Sequence, residues 1–206
     1  MKKKLSDLCI ALGVILLVMA VLLTLYNETE SAHSEKEKDN VLVQMQEEIR
    51  DREERQQTGP TVTEKLEFDP EETSASVMAE VEIDGYSYIG TLEFPALEVQ
   101  FPIMSNWDET RLKISPCRYF GSYLTDDLVI AGHNYRKGFG KLKQLQVGDT
   151  VIFTDVNGNS HYYLVDLIEV LQATDIQGMT DSPWELSLYT CTYDGQQRLT
   201  IRCKKQ

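Results

Sequence analysis

The chain has 206 residues, 42% of them apolar and 26% charged, which leaves room for one ordinary core and a tail but not for two large domains. Its 33 acids against 20 bases give a formal charge of −13. That balance argues against nucleic acid as a partner, because phosphate binding needs clustered Lys and Arg, and fits a cationic ligand or a solvated acidic tail better.

The N-terminus reads Met1, Lys2, Lys3, Lys4, and from Leu8 to Tyr26 runs a stretch of 19 residues with no charge and only Thr24 and Tyr26 as polar side chains. At about 1.5 Å per residue such a helix nearly matches a hydrocarbon layer of roughly 30 Å. A cleaved signal peptide is the alternative. The run is longer than a usual signal-peptide middle, and Asn27-Glu28-Thr29-Glu30 offers no small-residue cleavage site. A retained transmembrane anchor over 8–26 is therefore expected. The lysines then hold residues 1–7 in the cytoplasm and send the remainder outside, to the extracellular face of the cell membrane.

Residues 27–76 are polar and acid-rich, almost without aromatics, and cannot bury a core of their own. Asp39 or Asn40 is positioned to cap a short helix in which Leu42, Met45 and Ile49 fall at i, i+3 and i+7. The segment reads as a partly helical extracellular stalk, with a helix docked on the domain or a partner as the other reading. Gly59-Pro60 breaks any helix that reaches it.

From about Val77 to Gln206 the texture changes to short apolar, aromatic and β-branched runs punctuated by Gly, Asp and Asn. Strands are expected over 81–83, 86–93, 99–103, 128–131, 150–154, 160–170, 186–191 and 198–202. Eight strands in about 130 residues indicate an all-β domain closed into a barrel, because closure removes unpaired edges. Asn157-Gly158 reads as a hairpin turn.

With Cys9 inside the apolar run, Cys117, Cys191 and Cys203 remain in the exported part, so at least one thiol stays unpaired within the chain. The last hairpin singles one out. With Asp194-Gly195 as a two-residue turn, Cys191 pairs directly with Arg198. Paired residues share a face of the sheet with Cβ atoms about 4.5–5.5 Å apart. A guanidinium at that distance favours the thiolate and supports an oxyanion formed when it attacks a carbonyl. Period 2 puts Arg198, Thr200 and Arg202 on one face and Leu199, Ile201 and Cys203 on the other, so Cys203 reads as a core thiol. Cys117 reads as a buried filler or as a disulfide partner of Cys203.

A cysteine nucleophile needs a proton partner, and the chain has three histidines: His33, His133 and His161. His33 lies in the stalk. His161 follows the Asn157-Gly158 turn, where a cross-strand surface role is expected. His133 ends the apolar run Leu128-Val129-Ile130-Ala131-Gly132, where its side chain can project into a cleft shared with Cys191.

Ala131-Gly132-His133-Asn134, then Phe139-Gly140-Lys141-Leu142 and Val147-Gly148-Asp149-Thr150-Val151, resembles the sortase pattern around its histidine. Leu188-Tyr189-Thr190-Cys191 followed by Arg198-Leu199-Thr200-Ile201-Arg202 is similar to that family's cysteine and arginine motif, with Ser187 where many members carry Thr. The likeness covers about residues 85–204 in one order. It implies an eight-stranded sortase β-barrel with short helices in which Cys191 attacks the carbonyl of a sorting signal, often LPxTG-like. The acyl group then passes from the thioester to an amine, commonly on a peptidoglycan precursor of a Gram-positive cell wall. His133 would protonate the departing amine and deprotonate the incoming one, Arg198 would orient substrate and support the oxyanion, and Thr190 would contact substrate. No second apolar segment precedes Gln206, so the pilus-polymerising sortases with a C-terminal anchor fit less well. No compact acidic cluster of Ca²⁺-loop spacing is present, so neither a metal nor another cofactor is expected. The alternatives are a cysteine hydrolase, in which water takes the acyl group, and an inactive anchored binding module on the same barrel.

Overall fold

The computed structural model describes residues 2–58 and 77–206. Helix α1 spans Lys2–Thr58, and strands β1 (Val81–Ile83), β2 (Tyr86–Phe94) and β3 (Val99–Met104) follow. Helix α2 (Glu109–Ile114) precedes β4 (Cys117–Phe120) and β5 (Leu128–Gly132). A long hairpin of β6 (Thr150–Asp155) and β7 (Ser160–Gln172) leads through helix α3 (Ile176–Thr180) to β8 (Leu186–Cys191) and β9 (Gln197–Lys205).

The strands lie in the order β1-β2-β3-β4-β5-β8-β9-β7-β6, and β6 returns to pair with β2. Eight strands, β2 to β9, thus close a barrel, with β1 as a flap on its rim. The expected count was right and its membership was not. β4 lacks an alternating pattern, since only Cys117 is fully buried in Cys117–Phe120; it pairs in parallel with β3 at Met104 and antiparallel with β5. Sequence alone gives such a four-residue strand no signature, because two-sided pairing in the barrel stabilises it.

Alternate residues fill the barrel: Leu92 and Phe94, Leu128 and Ile130, Val151 and Phe153, Leu186 and Leu188 are all buried in one cluster. Phe94, Phe101 and Phe139 meet edge-on at ring-centre distances of 5.5–6.2 Å. A Cβ on Gly132 would stand 2.4 Å from the Phe139 ring. Glycine before His133 is therefore required by the packing, as well as by any need for flexibility.

The segment after the apolar run departs from the expected stalk. No helix starts at Asp39 or Asn40; α1 passes through both without a break. Residues 27–38 are rich in Glu and Lys, which extend a helix already begun at lower cost than a new one can be nucleated. The helix docks on the domain. Val41 and Met45, with Ile49 at the margin, pack on a second cluster of Val81, Ile83, Tyr88, Met104, Cys117 and Val156. Gln44 donates to Asp84 at 3.2 Å, and Arg52 pairs with Glu48 at 3.1 Å. The buried stripe is thus i, i+4, i+8, with Leu42 only half-buried beside it. Gly59-Pro60 and the rest of the expected stalk to residue 76 lie outside the described residues.

Among the described residues no helix is long and apolar enough to cross a membrane. The unbroken run of described side chains, Leu12–Tyr26, falls short of the about 20 residues a span takes.

Because Met45 is fully buried between α1 and the barrel, Met45→Ala should cost about 2–4 kcal/mol in urea denaturation. A loosely attached stalk would instead show a change within about 0.5 kcal/mol.

Candidate active site

The β8–β9 hairpin carries the nucleophile candidate, and its register pairs Cys191 with Arg198. The turn differs from the expected one. Asp194 does not have positive φ, Gly195 does (72°), and the Gly195 amide donates to the Thr192 carbonyl at 2.9 Å. The loop is therefore four residues, Tyr193–Gln196, closed by the Thr192 amide on the Gln197 carbonyl at 3.0 Å. Asp194 supports it by accepting from Thr192 Oγ1 at 2.5 Å and the Gln196 amide at 3.1 Å. These bonds hold its carboxyl below the usual range, the Thr192 hydroxyl contributing most. Loops of two and four residues about the same centre impose the same pairing, so Cys191 meets Arg198 either way.

Period 2 then divides β8. Leu186 and Leu188 point into the barrel, and Ser187, Tyr189 and Cys191 lie on the outer face, opposite Arg202, Thr200 and Arg198. Thr190 belongs to the inner set; it is 2% exposed, and its Oγ1 has no hydrogen-bond partner. The structure therefore brings Cys191 and Arg198 to one face and does not bring the Thr190 side chain to it.

His133 arrives from the other side of β8. β5 and β8 run parallel, with Gly132 opposite Thr190. Immediately beyond that pair come His133, the first residue past the end of β5, and Cys191, the last residue of β8, both half-buried. Adjacent strands are about 4.8 Å apart, so the imidazole and thiol start from neighbouring backbone positions. One residue further, Asn134 Nδ2 donates to the Thr192 carbonyl at 3.2 Å and continues the pairing past the strand ends. Tyr135 stacks on the His133 ring, centres 4.9 Å apart at 29°. Arg198 Nη1 donates to the carbonyls of Gly195 and Gln197 at 3.3 and 3.1 Å, which fixes the guanidinium beside the hairpin.

A groove of about 570 Å³ opens beside Arg198, walled by Trp107, Tyr119, Tyr189, Asp175 and Met179. Tyr119 meets Tyr189 edge-on at 5.4 Å and Trp107 meets Tyr119 at 5.8 Å. Burial, then the Tyr119 phenol, push the Tyr189 hydroxyl up, against the opposing Arg198 charge. It stays neutral at physiological pH. An apolar aromatic wall next to one fixed cation suits an extended peptide with apolar side chains. Sequence reasoning missed this wall, because Trp107 and Tyr119 come from segments with no strand pattern.

Arg202, placed by periodicity on the Cys191 face, is 1% exposed. Its guanidinium donates to Glu169 and Ser187 at 2.8 Å, to the Met179 and Gly178 carbonyls, and lies 5.1 Å from the Trp184 ring centre. It ties α3, which walls the groove, to the barrel. An alternating strand bounded by polar residues gives no sign that one arginine is buried under a loop.

The other candidates have structural roles. His161 lies against Tyr123 and Phe153, half-buried, with Nε2 3.8 Å from Asp155, so its expected surface place is in fact a packed one. The side chains of His33 and Cys9 lie outside the described residues. Cys117, Cys191 and Cys203 are all free. Cys117 and Cys203 are fully buried, which settles Cys117 as a filler and Cys203 as a core thiol.

The sequence pattern of the Sortase domain matches residues 92–206. No curated protein matches the chain. Among solved structures, sortase A from Corynebacterium diphtheriae superposes with a TM-score of 0.53 at 22% identity, over 59% of this chain and 61% of that one. This chain therefore covers less than two thirds of that protein. A Clostridium perfringens sortase D5 transpeptidase gives 0.51 at 20% identity, over 58% and 79%. Sortase C1 from Streptococcus suis gives 0.50 at 25%, over 58% and 73%.

Burial pushes the Cys117 thiol up to about 12, the Asp108 charge adding to it, and burial likewise pushes up Cys203. At pH 8 the Cys117 thiolate is about a thousandfold scarcer than that of an ordinary thiol, which ionises at 9.0. Alkylation of the folded protein followed by peptide mapping should thus label Cys191 long before Cys117 or Cys203, and all three together once urea unfolds the chain.

Proposed function

Since the chain belongs to the sortase family, whose members are cysteine transpeptidases, we propose that it cleaves a C-terminal sorting signal of LPxTG-like character. It would then transfer the acyl group to a cell-wall amine, such as that of a peptidoglycan precursor, and so anchor surface proteins. The observation that carries this reading is the strand register at the site: Cys191 paired with Arg198 on one side and flanked by the His133 position on the other.

The chemistry follows from those positions. The Cys191 thiolate attacks the scissile carbonyl, and the negative charge that develops on its oxygen lies near the Arg198 guanidinium. Collapse of that intermediate breaks the C–N bond, and His133 hands the departing nitrogen its proton. In the second half, the incoming amine loses a proton to His133, its nitrogen bonds to the carbonyl carbon, and Cys191 leaves as thiolate. The sorting peptide lies along the aromatic groove of Trp107, Tyr119 and Tyr189. Thr190, buried on the inner face, takes no part in substrate contact through its side chain.

A membrane anchor accompanies this function. Ile10 and the large apolar residues from Leu12 to Tyr26 are each 49–66% exposed on α1, a surface that water would not tolerate at this extent. With Leu8, Cys9 and Ala11 the apolar run reaches the 19 residues of a single span. The lysines before it put the N-terminus in the cytoplasm and the barrel outside the cell.

Incubating the protein with a sorting-signal peptide and an amine should give a ligated product and a thioacyl adduct on Cys191 by mass spectrometry. Hydrolysed peptide alone, whatever the amine concentration, would favour the hydrolase. Cys191→Ala, His133→Ala and Arg198→Ala should each lower kcat/KM by about 10³-fold or more, with Arg198→Lys recovering only part. Activity persisting in Cys191→Ala would sink the assignment.

A further inference from the structure

A second hollow lies on the His133 side of the site, away from the aromatic groove, and α1 supplies one of its walls. Lys38 of the helix faces His133, Tyr135, Lys137, Phe101 and Phe139 across a narrow cleft of about 30 Å³ that opens to solvent. The Lys38 side chain is 15% exposed, its Nζ 5.4 Å from the centre of the Phe101 ring and 3.3 Å from Asp39 Oδ1. An ammonium has three donors, and Asp39, itself 67% exposed, takes one of them.

The charge lining this hollow runs against that of the whole protein, whose formal charge is −13. Two ammonium groups, those of Lys38 and Lys137, stand among its described lining residues, and no carboxylate does. That lining favours a ligand carrying negative charge, beside the histidine that takes a proton from the second substrate.

We propose that this hollow is the acceptor subsite, and that it recognises an amine whose molecule also carries a carboxylate, the carboxylate held between Lys38 of α1 and Lys137. This rests on the transpeptidase reading and adds the class of acceptor to it. The amine nitrogen bonds to the thioester carbon, the C–S bond breaks, Cys191 departs as thiolate, and the proton shed by the amine goes to His133. Lys38 and Lys137 exchange no proton; they place the nitrogen. The N-terminal helix is thereby part of the binding site.

The experiment compares triglycine with triglycinamide as acceptors, which differ in the terminal carboxylate, using the full chain and a sorting-signal peptide. The ratio of their aminolysis kcat/KM values within one preparation cancels any loss of folded protein or of thioester formation. The wild type should prefer triglycine by about tenfold, the value of one charge-assisted contact. Lys38→Met, Lys137→Met and the double variant should bring the ratio towards one, and raised salt should shrink it in the wild type. A wild-type ratio of one, or a preference that survives in the double variant, would overturn the inference. Absence of a thioacyl adduct on Cys191 would instead remove the transpeptidase reading beneath it, so the two failures are told apart.

Discussion

The site depends on the parallel pairing of β5 with β8. These strands are far apart in sequence and cannot be joined by a hairpin, so each brings its end to the site from a different part of the chain. With Gly132 opposite Thr190, the backbone that leads into His133 and the strand position of Cys191 start from one paired level. The antiparallel β8–β9 register then adds Arg198 on the opposite flank. Three side chains from three segments are thus set by two registers, and a slip of one residue in either would turn a reactive group into the barrel.

Close packing enforces those registers. Phe139 fills the space where a Cβ of Gly132 would sit, in contact with Phe94 and Phe101. Behind β8, Leu186 and Leu188 are locked in the core, and on its outer face the Arg202 guanidinium bonds Ser187 while holding α3 against the groove. Buried arginine is costly to desolvate, and here Glu169, two carbonyls and an indole face compensate it. The same residue therefore supports the strand that carries Cys191 and the aromatic wall beside it.

What could be read from the sequence was whatever depends on local pattern. The Cys191–Arg198 pairing was legible even with the turn misassigned, because the loop centre, and not its length, sets the register. His133 was legible because an apolar strand ending in Gly-His announces its own terminus. β4 was not, since four residues without alternation owe their strand form to neighbours on both sides. The docking of α1 was legible only as the second reading: Val41, Met45 and Ile49 are sparse in a polar segment, and the surface they cover is assembled from β1, β2, β3, β4 and the β6–β7 turn. Lys38 and Arg202 acquire their roles only from residues distant in sequence, so no window around either contains the information.

The unbroken course of α1 has a geometric consequence. From Tyr26 at the end of the apolar run to Lys38 at the wall of the His133 hollow is 12 helical residues, or about 18 Å of axis. With the apolar run in a bilayer, the helix works as a ruler and a protractor together. It would set the altitude of the reaction above the lipid surface and the compass direction in which the site opens. One added residue in that stretch would raise the barrel by about 1.5 Å and swing it by about 100°, whereas a whole number of turns would change height and keep the bearing. Substrates tethered to the same membrane would then meet the barrel within a narrow layer, and the length of this helix would define where that layer lies.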